Sequence, residues 1–354
     1  MFTKRIILGL ALVAAITTAA SVSRLADAQT TATKPAATPS PTPPTIDDNE
    51  VLKIDTDVVN VLFTAQDKNR RLLTDLKQGD VQLLEDGKPQ ELVTFSRQVD
   101  LPLSLAILID ISVSQERTLP EEKAAAISFL ESVVRPAKDE VCIVSFTGEA
   151  TLEQGMTNNL PKLRRIVDGI KFTPPAGYLG SGVYTGTPPA NGNSAQSSTA
   201  IWDAIWVTSD EILGPAPEKT RRAIVLVTDG MNTSGRKDLD QAVQAALKSE
   251  AIIYSIGIGD DFRDGVDKAS LNKISERTGG RAYFPRDEGE LRNAFSQIQD
   301  EMRSQYLLAY EPTNQNRDGS YRTIEIRLTN PQLEKDKVKV THRQGYFSKT
   351  APKK

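Results

Sequence analysis

The chain has 354 residues, 39% hydrophobic and 25% charged, enough for two or three globular domains. Its 43 basic and 46 acidic side chains give a formal net charge of −3, which argues against nucleic acid, whose binding needs clustered Lys and Arg. A single cysteine, Cys142, excludes an internal disulfide, and a single histidine, His342, excludes a His-rich metal centre.

The first 28 residues read as an export signal. Lys4 and Arg5 precede an apolar run from Ile6 to about Ala20, and Ala26-Asp27-Ala28 offers a small-x-small cleavage site before Gln29. The run falls short of the ~20 residues that span a membrane comfortably. An uncleaved N-terminal anchor is the alternative, and only then would the protein touch a membrane. No cysteine lies near the cleavage site to carry a lipid. Residues 29–49 follow as a Thr-, Ala- and Pro-rich linker, expected to be an extended tether.

Residues 50–98 predict a small β module. Val58-Val59-Asn60-Val61-Leu62-Phe63 and Val81-Gln82-Leu83-Leu84-Glu85 are strand-like, Asp86-Gly87 is a hairpin turn, and Leu92 to Phe95 reads as the returning strand. So small a module is marginal alone.

Over residues 103–303 strands alternate with helices. Strands are expected at Leu105–Asp110, Glu140–Phe146, Ala223–Asp229, Ile252–Gly259 and Arg281–Phe284, mostly short apolar runs of the kind buried on both faces of a parallel sheet. Helices are expected at Pro120–Val134, Asn159–Ile170, Ala200–Leu213, Leu239–Ser249, Asp267–Arg277 and Glu288–Arg303. The class is α/β, a doubly wound and mostly parallel sheet, with its ligand edge at the carboxyl ends of the strands. Cys142, inside an apolar run, reads as an inert buried thiol. Residues 304–348 return to β, with strands at Tyr306–Glu311, Tyr321–Leu328 and Lys337–His342. This tail is too small to fold alone and is expected to complete the sheet begun near Val51 as a second, sandwich-like module.

One constellation carries chemistry. The run Leu105-Ala106-Ile107-Leu108-Ile109 ends in Asp110-Ile111-Ser112-Val113-Ser114, whose alternate oxygens can converge above a strand end. Hard cations such as Mg²⁺ want oxygen ligands in near-octahedral array with few protein carboxylates. Ile224-Val225-Leu226-Val227 ends in Thr228-Asp229-Gly230, which should deliver a second carboxylate to the same edge, and Thr199 sits near a helix start. The plainer reading is that Ser112 and Ser114 make only local turn bonds.

At these residues the chain resembles the von Willebrand factor type A family. Asp110-x-Ser112-x-Ser114 matches its Asp-x-Ser-x-Ser motif, Thr199 its later threonine and Asp229-Gly230 its later aspartate. Val141–Phe146, Tyr254–Gly259 and Thr278–Phe284 also look like the family. The flanks are similar to a bacterial subgroup of VWFA-related proteins, at Glu85–Gln90 and at Gly345-Tyr346. The resemblance implies a metal-ion-dependent adhesion site (MIDAS) holding Mg²⁺, or Mn²⁺ or Ca²⁺. Ser112, Ser114 and Thr199 would contact the metal, with Asp110 and Asp229 acting directly or through water. An acidic group of a protein partner would fill the remaining position.

The long Gly-, Pro-, Ser- and Asn-rich loop from Thr173 to Ser198 reads equally as a partner-reading rim, with Tyr178 and Tyr184 as candidate contacts, or as a floppy insertion. Trp202 and Trp206, four apart on a helix, read as core-facing. The function expected is an exported, non-enzymatic adhesion-type module, periplasmic or extracellular. A metal-dependent hydrolase is the enzymatic alternative, but no P-loop and no Gly-x-Ser-x-Gly elbow occurs. A structural envelope protein with a non-functional metal site is the third reading.

Overall fold

The computed structural model describes residues 58–97, 101–172, 174, 178–180, 183–184, 198–217, 219–259 and 265–350, with the segments 178–180 and 183–184 as backbone only. The expected export signal and linker lie outside the described residues.

The first segment supplies β1 (Val59–Gln66), β2 (Val81–Glu85), β3 (Lys88–Pro89) and β4 (Leu92–Arg97). The central segment then runs β5 (Leu103–Asp110), α1 (Leu119–Val133), β6 (Glu140–Phe146), β7 (Ala150–Thr157), α2 (Leu160–Gly169), β8 (Tyr178–Gly180), β9 (Val183–Tyr184), α3 (Ile201–Val207), β10 (Arg221–Thr228), α4 (Leu239–Lys248), β11 (Ala251–Gly257), α5 (Lys268–Thr278), β12 (Ala282–Tyr283) and α6 (Glu288–Arg303). The last segment adds β13 (Tyr306–Tyr310), β14 (Tyr321–Leu328), α7 (Pro331–Lys335), β15 (Lys339–His342) and β16 (Gly345–Phe347).

The central sheet has the order β12-β11-β10-β5-β6-β7. Five strands are parallel and β7 is antiparallel at the edge. β5 and β10 are buried along their whole length, as continuous apolar runs with helices on both faces demand. One core joins one face of the sheet to α1, α2 and α6 through residues such as Ile107, Phe129, Val225 and Phe295. The other joins Leu108, Leu226 and Ile253 to α3, α4 and α5. The chain leaves β5 in one direction toward β6 and crosses back to β10 on its other side. The seam between β5 and β10 is therefore the topological switch point, where such sheets open a crevice.

Two local details differ from the sequence expectation. β7 was not anticipated, because Ala150–Thr157 is a partly exposed edge strand with polar residues on both faces. The helix expected over Ala200–Leu213 is regular only to Val207, and Thr208–Leu213 winds as a π turn. Trp202 is core, while Trp206 is only half-buried and carries the Lys237 ammonium 3.9 Å from its ring centre.

The first and last segments interleave in two antiparallel sheets, ordered β15-β1-β13-β4 and β16-β14-β2-β3. Phe63, Leu83, Tyr306, Leu308 and Ile326 share one core between them, with Phe63 stacked on Tyr306 at 5.1 Å. Inside it Glu85 accepts from Tyr310 Oη at 2.6 Å and Tyr346 Oη at 2.8 Å and pairs with Arg322 at 3.4 Å. β4 and β13 are direct partners, with Arg97 opposite Tyr306, so the α/β sheet enters and leaves through adjacent strands.

Candidate functional site

β5 and β10 lie side by side in register, so Asp110 and Asp229 emerge at the same carboxyl-terminal edge. Asp110 is completely buried. Its Oδ1 accepts from the Ser112 amide at 2.9 Å, which folds the loop back over the strand end, and its Oδ2 accepts from Thr228 Oγ1 at 2.6 Å. The Ser112 and Ser114 hydroxyls share a hydrogen bond at 3.0 Å. Asp229 Oδ1 accepts from the Met231 amide at 2.9 Å, and Gly230 takes φ +83° so that the chain can turn there. A Cβ on Gly230 would stand 2.9 Å from Leu271 Cγ.

Thr199 joins from the start of α3 through the loop that follows β10. Its amide donates to Thr233 Oγ1 at 2.8 Å, and its carbonyl accepts from the amides of Thr233 and Ser234. Trp202 and Asp203 strengthen the link: Asn232 Oδ1 accepts from the Trp202 amide, and Asp203 Oδ2 accepts from the amide of Arg236 at 2.7 Å. Asp110 thus ends a strand, and the other four sequence-predicted residues stand on segments tied to the same sheet edge. Tyr178 and Tyr184 face each other in the backbone pairing of β8 and β9, and their side chains lie outside the described residues.

The electrostatics are tense. Burial, reinforced by the charge on Asp229, pushes Asp110 up to about 7. Among the described residues no group of three or more His, Cys, Asp or Glu is placed to hold a metal ion. The donors on offer at this edge are two carboxylates and hydroxyls. That donor set fits a small hard divalent ion, whose charge would relieve the repulsion between Asp110 and Asp229.

Two residues of this region were not singled out from the sequence. Gln115 is fully buried, and its amide donates to the Ile258 carbonyl at 3.2 Å, anchoring the loop after β5 to the end of β11. Glu122 on α1 is 1% exposed, and neither of its oxygens meets a hydrogen-bond partner among the described residues. The Thr118 hydroxyl is turned to Gln115 instead. Burial pushes Glu122 up to about 8, and the charges of Asp110 and Asp229 add to the shift. Its place among Leu119, Ala126 and Phe129 on the inner face of α1 is the sequence signal that could have found it.

Residues 190–297 match the model of the von Willebrand factor type A domain. Such domains are protein-interaction modules, typically without enzymatic activity. Thr199 and Asp229 fall inside the matched residues, while Asp110, at the end of a strand of the same sheet, and Ser112 and Ser114 just after it precede them. A sequence comparison with curated proteins returns no match. Among solved structures the chain is similar to proximal thread matrix protein 1 from the mussel byssus, in a form with a zinc-occupied MIDAS motif. That pair shows 17% identity and a TM-score of 0.46 over 62% of this chain and 50% of that one. The chain thus spans about half the length of the mussel protein. It is also similar to an aerotolerance-related membrane protein from Bacteroides fragilis, at 18% identity and a TM-score of 0.41 over 56% of this chain and 99% of that one. BatB from Bacteroides thetaiotaomicron is alike at 18% identity and 0.41, over 57% and 98%. Among the described residues no helix is long and apolar enough to cross a membrane.

Proposed function

We propose that the chain is an exported protein-binding module that captures an acidic group of a protein partner through a divalent cation. The observation that carries this reading is a fully buried Asp110 beside the charge of Asp229, on a strand end furnished with two paired serine hydroxyls. Ser112, Ser114 and Thr199 would contact the metal, with Asp110 and Asp229 holding it directly or through water. Mg²⁺ is the first choice, because the donors are all oxygen and only two are carboxylates. A partner Asp or Glu completes the coordination. Residues 103–303 are taken as the metal-bearing domain, and 50–98 with 304–348 as the flanking β module. Tyr178 and Tyr184 are placed on the rim. Residues 1–28 are read as the export signal, which delivers the protein to the periplasm or beyond.

The test compares wild type with Asp110→Ala in thermal unfolding, with Mg²⁺ or Mn²⁺ against chelator. A cation bound only by the folded state raises the melting temperature of wild type, and the variant loses that rise. Pull-down of partners under the same conditions then separates adhesion from a purely structural role. Wild-type unfolding indifferent to both metals would sink the proposal.

A further inference from the structure

The opposite edge of the same sheet holds a cavity of about 260 Å³ with its own chemistry. It lies at the amino-terminal ends of β10 and β11, eight residues of β10 away from Asp229, or ~25 Å. Its walls come from both modules: Leu62 of β1 and Leu307 of β13 face Leu247 and Ile252 of the central unit. The polar lining is lopsided, with Lys219, Arg221, Arg222 and Arg343 against the single carboxylate of Glu250. In a chain of net negative charge, that is a local excess of cations on an apolar floor.

The cations outnumber their partner: Arg222 and Arg343 share the one Glu250 carboxylate. Arg221 is 7% exposed and donates to the carbonyls of Met302 and Leu101 and to Gln305, but among the described residues no carboxylate pairs with it. Asp139, whose charge it feels, is held by both ends of Arg135. Arg343 is 8% exposed and reaches Glu250 at 3.2 Å, the same carboxylate that Arg222 approaches at 3.9 Å. The Nε–H groups of Arg221 and Arg343 are both buried and meet no acceptor among the described residues. A buried charge with no counter-charge is costly, and Arg221 beside the cavity therefore marks the place where an anion would be stabilised. Lys219, exposed at the rim, adds a mobile ammonium to the entrance.

We infer that this cavity binds a small amphipathic anion, a carboxylate head on an apolar body. The head would pair with the cationic side chains of Arg221 and Lys219, and the body would lie on Leu62, Leu247, Ile252 and Leu307. Because the walls belong to both modules, an occupant would also tie the sandwich to the central sheet. This inference is independent of the metal site at the far edge.

The probe is decanoate, titrated calorimetrically into the full chain, with decanol and inorganic phosphate as the two halves of its chemistry. Decanoate is expected to bind saturably and at least about tenfold tighter than either control. Lys219→Glu, at an exposed position, should weaken it about tenfold while leaving the unfolding curve unchanged. Leu62→Trp, which fills the apolar floor, should abolish it. The inference falls if decanoate does not bind, if decanol or phosphate matches it, or if either variant binds decanoate as wild type does.

Discussion

The Thr228 hydroxyl donates to Asp110 at 2.6 Å across the seam between β10 and β5. It also accepts from the Gly230 amide at 3.1 Å, so one side chain fixes both the buried carboxylate and the turn that delivers Asp229. Thr228→Val keeps the shape and removes the hydroxyl. It leaves a buried carboxylate oxygen and a buried amide without that partner, at a cost of about 1–3 kcal/mol. Urea unfolding in chelator measures the loss. A variant as stable as wild type would show that the seam is held by other means.

Glu122 makes the metal-free protein less stable as pH rises. Its folded value, about 8, lies above its ordinary 4.5. The folded state therefore holds the proton more tightly, and the stability it contributes is complete below pH 4.5 and lost as pH climbs through 8. Glu122→Met removes the titration while keeping the volume. The stability difference between variant and wild type should grow by on the order of 2–4 kcal/mol from pH 4.5 to pH 8. A difference that stays flat over that range would contradict the assignment.

His342 acts in the opposite sense. Burial holds it below its ordinary 6.5. It is neutral in the folded state, with Nδ1 against the Arg343 carbonyl at 2.7 Å and Nε2 accepting from the Ile326 amide at 3.3 Å. Protonation converts that acceptor into a donor. Stability present above pH 6.5 should be lost as pH falls through the lower folded value, by about 1 kcal/mol. His342→Gln should flatten this limb of the acid-unfolding profile.

Glu85 is the shared acceptor of the sandwich core. Glu85→Ala strips Tyr310 and Tyr346 of their partner and leaves the buried Arg322 without its carboxylate. The expected loss is about 3–5 kcal/mol by chemical denaturation. Glu85→Gln, which keeps an acceptor for the two tyrosines, should lose less. Equal losses would mean that the charge, and not the hydroxyl bonds, dominates.

The parallel sheet was readable because β5 and β10 are unbroken apolar runs ending in carboxylates, a pattern that few other contexts produce. The placement of Asp110, Ser112, Ser114 and Asp229 at one sheet edge was readable the same way, from where the strands stop. Gln115 and Glu122 were not. Polar residues on a helix or turn read as solvated by default, and only the neighbours that bury them say otherwise. β7 escaped because an exposed edge strand need not alternate. β16 escaped because Gly345-Tyr346-Phe347 is too short to carry a period, yet a Cβ at Gly345 would stand 2.3 Å from the Arg322 carbonyl, a constraint only the pairing reveals.

The position of Arg97 opposite Tyr306 has a mechanical consequence. A pull applied by a partner at the far sheet edge would reach the β sandwich through both strands at once and from the same end. The two strands would move together, so the load is not spent on peeling them apart. It falls instead in shear on the five registered pairs that join β13 to β1, from Val59 against Tyr310 to Phe63 against Tyr306. That row, with Phe63 stacked on Tyr306, would set the tension the protein can bear.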